Sequence, residues 1–405
     1  MTTILSLGDV YLNDFVDEGD TIVKAPLTLA VCDSCDLVQL QDTPDLDRLY
    51  RQYWYKSSLN KSMVAALQDI VDSIEQRVTL VPGDVVIDIG CNDGTMLSQY
   101  TLADKLYRIG FDPALNLADE AREHCDRFYD TYFGDTDVVL PQAKVVTTIA
   151  MFYDLEDPHT FVELIRRALA QNGIWVIQLT DLLSMLTVTA FDNICHEHLE
   201  YYSLDVIMTL LEEHDLEVFD VAVNSVNGSS LRLYVGHRGE RDLQPAVLEY
   251  LLKEDDYYMR SLDRMPSENQ YTAFARRVDD TKRRVQAFMA EQKELNKSVF
   301  VMGASTKGNT LLQCFDLSVD DLPFAAEVNA DKFGKRTVGT NIPIISEEEA
   351  LAQNPDYFFV LPWHFIDMLI GVHEAYLLRG GKLVVPLPVP CVFWWNGSEI
   401  ERKLL

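Results

Sequence analysis

The chain has 405 residues, with 34 Lys and Arg against 64 Asp and Glu, for a formal net charge of −30. That length suggests about two or three domains at roughly 150 residues each, and a 48% hydrophobic share excludes disorder over most of the chain. So acidic a composition argues against general nucleic-acid or anionic-membrane binding, which needs clustered Lys and Arg.

No stretch approaches the roughly 18 uninterrupted apolar residues of a membrane span. The N-terminal MTTILSLGDVYLND has no basic, signal-like start, and seven sparse cysteines fit reduced thiols, so the expected setting is cytoplasmic. Residues 1–60 read as a small turn-rich module built around VCDSCDLVQL and the aromatic YRQYWY. Met63, Leu67, Ile70, Val71 and Ile74 then recur at helical spacing. After Pro82-Gly83-Asp84 the chain alternates strand and helix. VVIDIG (85–90), YRIGFD (107–112), KVVTTIAM (144–151) and IWVIQL (174–179) read as parallel strands of a doubly wound sheet over 61–200. Residues 201–297 read as a connecting region, with the amphipathic SLDVIMTLLEEHD, a hairpin over LEVFDVAVNSVNGSSLRLYVG and charged helices around Pro266. VFVMGAS (299–305) opens a second strand–glycine turn–helix unit over 298–405, with FAAEVN, PDYFFVLPW and GGKLVVPLP as further strands. The expected fold class is α/β, with two Rossmann-like units behind a small module.

Three motifs carry chemistry. Asp88-Ile89-Gly90-Cys91-Asn92-Asp93-Gly94 follows a strand directly. Glycines there let the backbone turn tightly beside a ligand, and a following helix offers free N–H groups. The spacing is not the dinucleotide G-x-G-x-x-G, which disfavours a nicotinamide oxidoreductase. Asp112 ends the next strand, placed to accept from a ribose diol, and Gly134-Asp135 is a candidate adenine contact.

The second motif is Cys195-His196-Glu197-His198 in a chain with eight histidines. Its i, i+2 imidazoles suit a metal or, equally, proton transfer, because His titrates near neutrality and Glu orients it. A plain hydrogen-bonded polar cluster is the third reading. The last motif, Gly303-Ala304-Ser305-Thr306-Lys307-Gly308-Asn309-Thr310, sets donors at a helix start, as an anion requires. Lys332, Lys335 and Arg336 add basic residues further on, so the expectation is a local positive pocket on an acidic body.

VIDIGCNDGTML and its surroundings, residues 82–180, resemble the class I S-adenosylmethionine methyltransferases. VCDSCDLVQL, VIDIGCNDG, HEHLEYYSL, NGSSLRLYV and GASTKGNTLL, in that order over nearly the whole chain, resemble the nucleotide-sugar C-methyltransferases of deoxysugar pathways. The resemblance implies S-adenosylmethionine bound by Asp88, Gly90, Asn92, Gly94, Asp112 and Asp135. It implies a nucleoside-diphosphate 4-keto-6-deoxyhexose methylated beside its ketone, with His198 as base, Glu197 orienting it or helping hold the sugar, and His196 as a further catalytic-site candidate beside the sugar. Tyr53, Tyr55 and Tyr153 would line the sugar pocket. Lys307 and Asn309 would hold the diphosphate or sugar, supported by Asn227, Ser229 and Arg232. Cys195 stands where relatives often carry tyrosine, and Asp154 where some relatives have a histidine. Relatives also place two C-x-x-C pairs around zinc, whereas only Cys32 and Cys35 are present, so tightly held zinc is not expected. The competing readings are a sugar O-methyltransferase and a non-catalytic sugar-nucleotide-binding protein.

Overall fold

The computed structural model describes residues 1–45, 49–50, 53–135, 138–264 and 269–405; Pro266, and the side chain of Asn227, lie outside the described residues. The N-terminal module contributes β1 (Thr2–Tyr11), β2 (Phe15–Val16), β3 (Lys24–Val31) and β4 (Val38–Leu40). Helix α1 (Lys61–Arg77) follows. Asn60 caps it by accepting from Ser62 N–H, and Leu67, Ile70, Val71 and Ile74 bury its apolar stripe.

The next unit contains β5 (Val85–Ile89), β6 (Tyr107–Phe111), α2 (Ala118–His124), β7 (Arg127–Tyr129), β8 (Ala143–Ile149), α3 (Pro158–Ala168), β9 (Leu169–Leu179) and α4 (Leu182–Val188). Then come β10 (Glu200–Tyr201), α5 (Leu204–Glu212), β11 (Leu216–Asn224) and β12 (Ser230–His237). The sheet order is β11-β12-β9-β8-β5-β6-β7. Only β12 runs against its neighbours. The hairpin expected in the connecting region therefore completes this sheet, because β12 lies beside β9 with Leu233 opposite Ile177. A second difference follows β5, where the expected helix is a single tight turn over Met96–Ser98. Asp93 takes the Thr95 N–H and hydroxyl instead of capping three residues on, and Met96, Leu97 and Tyr100 all turn into the core.

Helices α6 (Pro245–Arg264) and α7 (Gln270–Glu294) lead to the C-terminal domain. It contains β13 (Val299–Met302), α8 (Thr306–Cys314), β14 (Ala325–Glu327), β15 (Arg336–Thr337), β16 (Ile344–Ser346), β17 (Tyr357–Val360), β18 (Lys382–Val385), β19 (Cys391–Trp395) and β20 (Ile400–Leu404). Its sheet order is β16-β14-β13-β17-β18-β19-β20, with five parallel strands followed by β19, which runs against both β18 and β20.

The N-terminal module is sewn to both larger units. Strand β10, just after the His-Glu-His turn, pairs with β4, so that Glu200 lies opposite Gln39. Strand β2 pairs with β15, with Phe15 opposite Thr337. Phe15, Leu27 and Leu29 of the module share one apolar core with Phe191 and Ile194 near that turn and with Val301 and Phe359 of the C-terminal sheet. Three chain regions thus meet around residues 190–201, and burial of that shared core fixes how they meet.

Candidate active site

In open parallel sheets, ligands bind beyond the carboxyl ends of the strands, where the connections diverge. Here that point is the end of β5, between β6 and β8. A cavity of about 660 Å³ lies there, lined among others by Asp88, Gly90, Asn92, Asp112, Phe133 and Asp135. Gly90 (φ +73°) turns the chain, and a side chain on it would crowd Met151.

Asp112 accepts from the Asn92 N–H at 2.7 Å and the Ala114 N–H at 2.9 Å, which aims its carboxyl at the cavity; burial pushes its pKa up to about 6. Asp88 is also raised, to about 7, mainly by burial and against the Thr147 hydroxyl that donates to it at 2.6 Å. Two acidic groups beside a glycine turn fit a cationic, ribose-bearing ligand. Two of the expected cofactor residues act at one remove. The Asn92 side chain accepts from the Ser57 N–H and donates to the Tyr55 carbonyl, so it fastens the segment that roofs the cavity. Gly94 is absent from the cavity wall; its site packs against Ala121 and His124 of α2.

Tyr50, Tyr53 and Asp154 extend the same cavity toward the His-Glu-His turn. His198 packs on Tyr153, with ring centroids 4.4 Å apart, and its Nδ1 is 2.8 Å from the Asn193 carbonyl. A carbonyl can only accept, so Nδ1 carries the proton and Nε2 keeps a bare lone pair. Burial first, and then the charge of Lys307, push the His198 pKa down to about 3, so the ring is neutral at pH 7. Glu197 accepts from the Asn13 amide at 3.0 Å, and Asn13 also reaches Thr310, so all three chain regions hold that carboxyl. Burial raises Glu197 and pushes Asp154 far above the carboxylate range.

His196, expected beside the sugar, faces elsewhere. It is fully buried and donates from Nε2 to the carbonyls of Ala25 and Pro26 in β3, which makes it an anchor for the N-terminal module. The turn that bonds His198 N–H to the Cys195 carbonyl sends the two imidazoles in different directions, and i, i+2 spacing alone does not report this.

Among the expected substrate residues, Tyr53 lines the cavity and Tyr55 does so while 40% exposed. Arg232 lies instead in β12, paired with Asp69 at 2.7 Å and Gln178 at 2.9 Å, and Ser229 bonds Ser184. Asn309 donates to the Asp14 carbonyl at 3.0 Å, leaving a buried Oδ1 with no partner among the described residues. Lys307 donates to Asn193 Oδ1 at 2.6 Å.

The expected positive pocket over Lys332–Arg336 is not formed. Lys332 is buried against Glu327 and the Ala304 carbonyl, Lys335 pairs with Asp17, and Arg336 donates to the Asn341 carbonyl. Buried cations need such partners. Cys32 and Cys35 occupy a tight turn closed by the Asp36 N–H on the Cys32 carbonyl, and Asp33 between them pairs with the terminal amine. Two thiols do not complete a tetrahedral zinc site. Among the described residues, no group of three or more His, Cys, Asp or Glu is arranged to hold a metal. Sequence reasoning missed Asn193, Asn13 and Tyr50, and nothing in their local spacing marks them.

A seven-stranded sheet with a glycine turn after β5, an acid at the end of the neighbouring β6 and a cavity between defines a class I methyltransferase. Residues 59–221 match the methyltransferase domain model, and residues 225–388 match the C-methyltransferase C-terminal domain model. The chain is 31% identical over 383 residues to the C-methyltransferase NovU of Streptomyces niveus, covering 92% of this chain and 88% of that one. It belongs to the S-adenosylmethionine-dependent C-methyltransferases. Among solved structures, magnesium protoporphyrin IX methyltransferase from Synechocystis PCC 6803 with bound SAH is 13% identical, covering 44% of this chain and 88% of that one, with a TM-score of 0.36. N-methyltransferase NodS from Bradyrhizobium japonicum WM9 is 15% identical, covering 42% and 96%, with a TM-score of 0.33. No helix among the described residues is long and apolar enough to cross a membrane.

Proposed function

We propose that this C-methyltransferase acts on the carbon beside the ketone (C3) of a nucleoside-diphosphate 4-keto-6-deoxyhexose, in branched deoxysugar biosynthesis. A ketone acidifies its neighbouring C–H because the conjugate base is an enolate, so the reaction needs a positioned base beside the methyl donor's cavity. His198 is the observation that carries the reading: its Nδ1 hydrogen is committed to the Asn193 carbonyl, which leaves Nε2 with a bare lone pair, and its ring packs on Tyr153, whose chain neighbour Asp154 lines that cavity with Tyr53. Bound S-adenosylmethionine supplies an electrophilic methyl group on a cationic sulfur. His198 accepts the proton from carbon, the Asn193 carbonyl keeps the ring in the right tautomer, and Glu197, fastened by Asn13, braces the turn. Asp154 Oδ1, Asn309 Oδ1 and His364 Nδ1 are buried polar atoms without partners among the described residues, which fits a ligand bearing several hydroxyls. Seven free thiols fit the cytoplasmic setting such a pathway would have.

The test is a mass-spectrometric screen of thymidine-, guanosine- and cytidine-diphosphate keto sugars for the gain of one methyl, paired with solvent deuterium exchange at C3 without donor. The expectation is a carbon-bound methyl, and exchange that drops roughly 10²- to 10⁴-fold in His198→Ala while donor affinity holds. A methyl on oxygen, or undiminished exchange in His198→Ala, overturns the reading.

A further inference from the structure

The loop from Gly303 to Thr310 has the composition of an anion cradle, yet its lysine reaches across the domain boundary into the catalytic turn. Lys307 Nζ donates to Asn193 Oδ1 at 2.6 Å. The main-chain carbonyl of the same asparagine accepts from His198 Nδ1 at 2.8 Å and from the Tyr201 hydroxyl at 3.2 Å. Base and ammonium are therefore held by the two ends of one residue, itself 2% exposed. Lys307 is half-buried, and its charge bears on His198, Asp154, Glu197, Asp192 and His364, the polar groups gathered around that turn. An ammonium has three donors, and Asn193 takes one of them.

Enolisation moves charge over a short path. The proton leaves one carbon while negative charge gathers on the oxygen of the next, so a base and a cation must reach two adjacent positions of the sugar. A preorganised donor at such an oxygen is among the largest contributors to catalysis, because it acts where charge develops and where water is excluded.

We propose that Lys307 is a catalytic residue whose ammonium binds the ketone oxygen and stabilises the enolate formed as His198 Nε2 removes the neighbouring proton. The assignment rests on the keto-sugar reading above. In this step the C–H bond breaks and its electron pair becomes the C=C bond. The carbonyl π pair moves onto oxygen as O⁻ against the ammonium, and the proton resides on Nε2. No further reactant is consumed. The C-terminal domain thus supplies half of the enolisation machinery, and docking of α8 against the Asn193 turn assembles the centre.

The experiment measures donor-free deuterium exchange at C3 of thymidine-diphosphate 4-keto-6-deoxyglucose, at saturating sugar, in the full chain and in Lys307→Ala, Lys307→Met and Lys307→Arg. S-adenosylmethionine affinity, read by calorimetry, reports that the first sheet is intact. The expected result is a roughly 10²- to 10³-fold loss of exchange in Lys307→Ala and Lys307→Met, with donor affinity within about threefold of wild type. Methylammonium should restore part of the exchange in Lys307→Ala, and arginine should retain part of it. Exchange within about threefold of wild type at saturation, with only a weaker sugar affinity, would make Lys307 a phosphate or sugar ligand and overturn the proposal. Loss that neither methylammonium nor arginine recovers would make it structural and overturn it equally. Wild-type chain that exchanges no keto sugar at all would remove the substrate reading itself, and this role with it.

Discussion

Glu200 opens β10, two residues beyond His198, and carries a carboxyl into the junction of the module and the first sheet. It is 7% exposed, and its Oε2 has no partner among the described residues. Burial pushes its pKa from the ordinary 4.5 up to about 9. An acid whose folded value exceeds its unfolded value holds a proton that the unfolded chain releases between those two values. Its contribution to stability is therefore greatest below pH 4.5 and is lost as pH rises toward about 9. Each pH unit is worth about 1.4 kcal/mol, so between pH 4.5 and pH 7 the folded state loses about 3 kcal/mol at this one site. Glu200→Gln keeps the shape and removes the ionisation. Denaturant unfolding of both proteins from pH 4.5 to 7 should show the variant gaining about 3 kcal/mol on the wild type across that range, whatever constant offset the new amide introduces. A stability difference that stays constant with pH would refute the buried neutral carboxyl.

Donor binding should carry its own pH signature. Asp112 accepts best when ionised and its pKa lies at about 6, so S-adenosylmethionine affinity should weaken as pH falls through that value, and Asp112→Ala should weaken it by about 10- to 100-fold at pH 8, as loss of a hydrogen bond to a charged group costs. Calorimetric titration reads both, and a flat pH profile would remove Asp112 from the ribose. Gly94→Ala should lower the melting temperature by an amount equivalent to about 1–3 kcal/mol, because φ is +76° and the new carbon would sit 2.9 Å from His124 Cβ; an unchanged melting curve would show that α2 gives way without cost.

Much of the fold follows from one-dimensional pattern. Near-continuous apolar runs such as VVIDIG and YFFV are what strands buried on both faces require, and β5 and β17 stand where those runs predict. The spacing of Leu67, Ile70, Val71 and Ile74 marks α1 with equal clarity. The hairpin after α5 and the final β19–β20 hairpin have no such local signal for their place in a sheet. Which sheet edge a hairpin joins depends on which edge lies open beside it, and no local spacing records that.

The site divides in the same way. Composition and order along the chain determine two α/β units, the glycine turn at Gly90, the acid at Asp112 and the presence of a His-Glu-His segment, because each is a property of a few consecutive residues. Tertiary structure alone decides what those residues face. It turns His196 into the module's anchor and fixes His198 by Nδ1 to the Asn193 carbonyl, with Nε2 left as the basic nitrogen. It spends Lys332 on Glu327 and Arg232 on Asp69, since a buried cation must be paired. It also carries Lys307 more than a hundred positions along the chain to Asn193. A side chain's chemistry is written in its own letter, whereas its partner, its burial and its protonation state belong to the packing that folding brings around it.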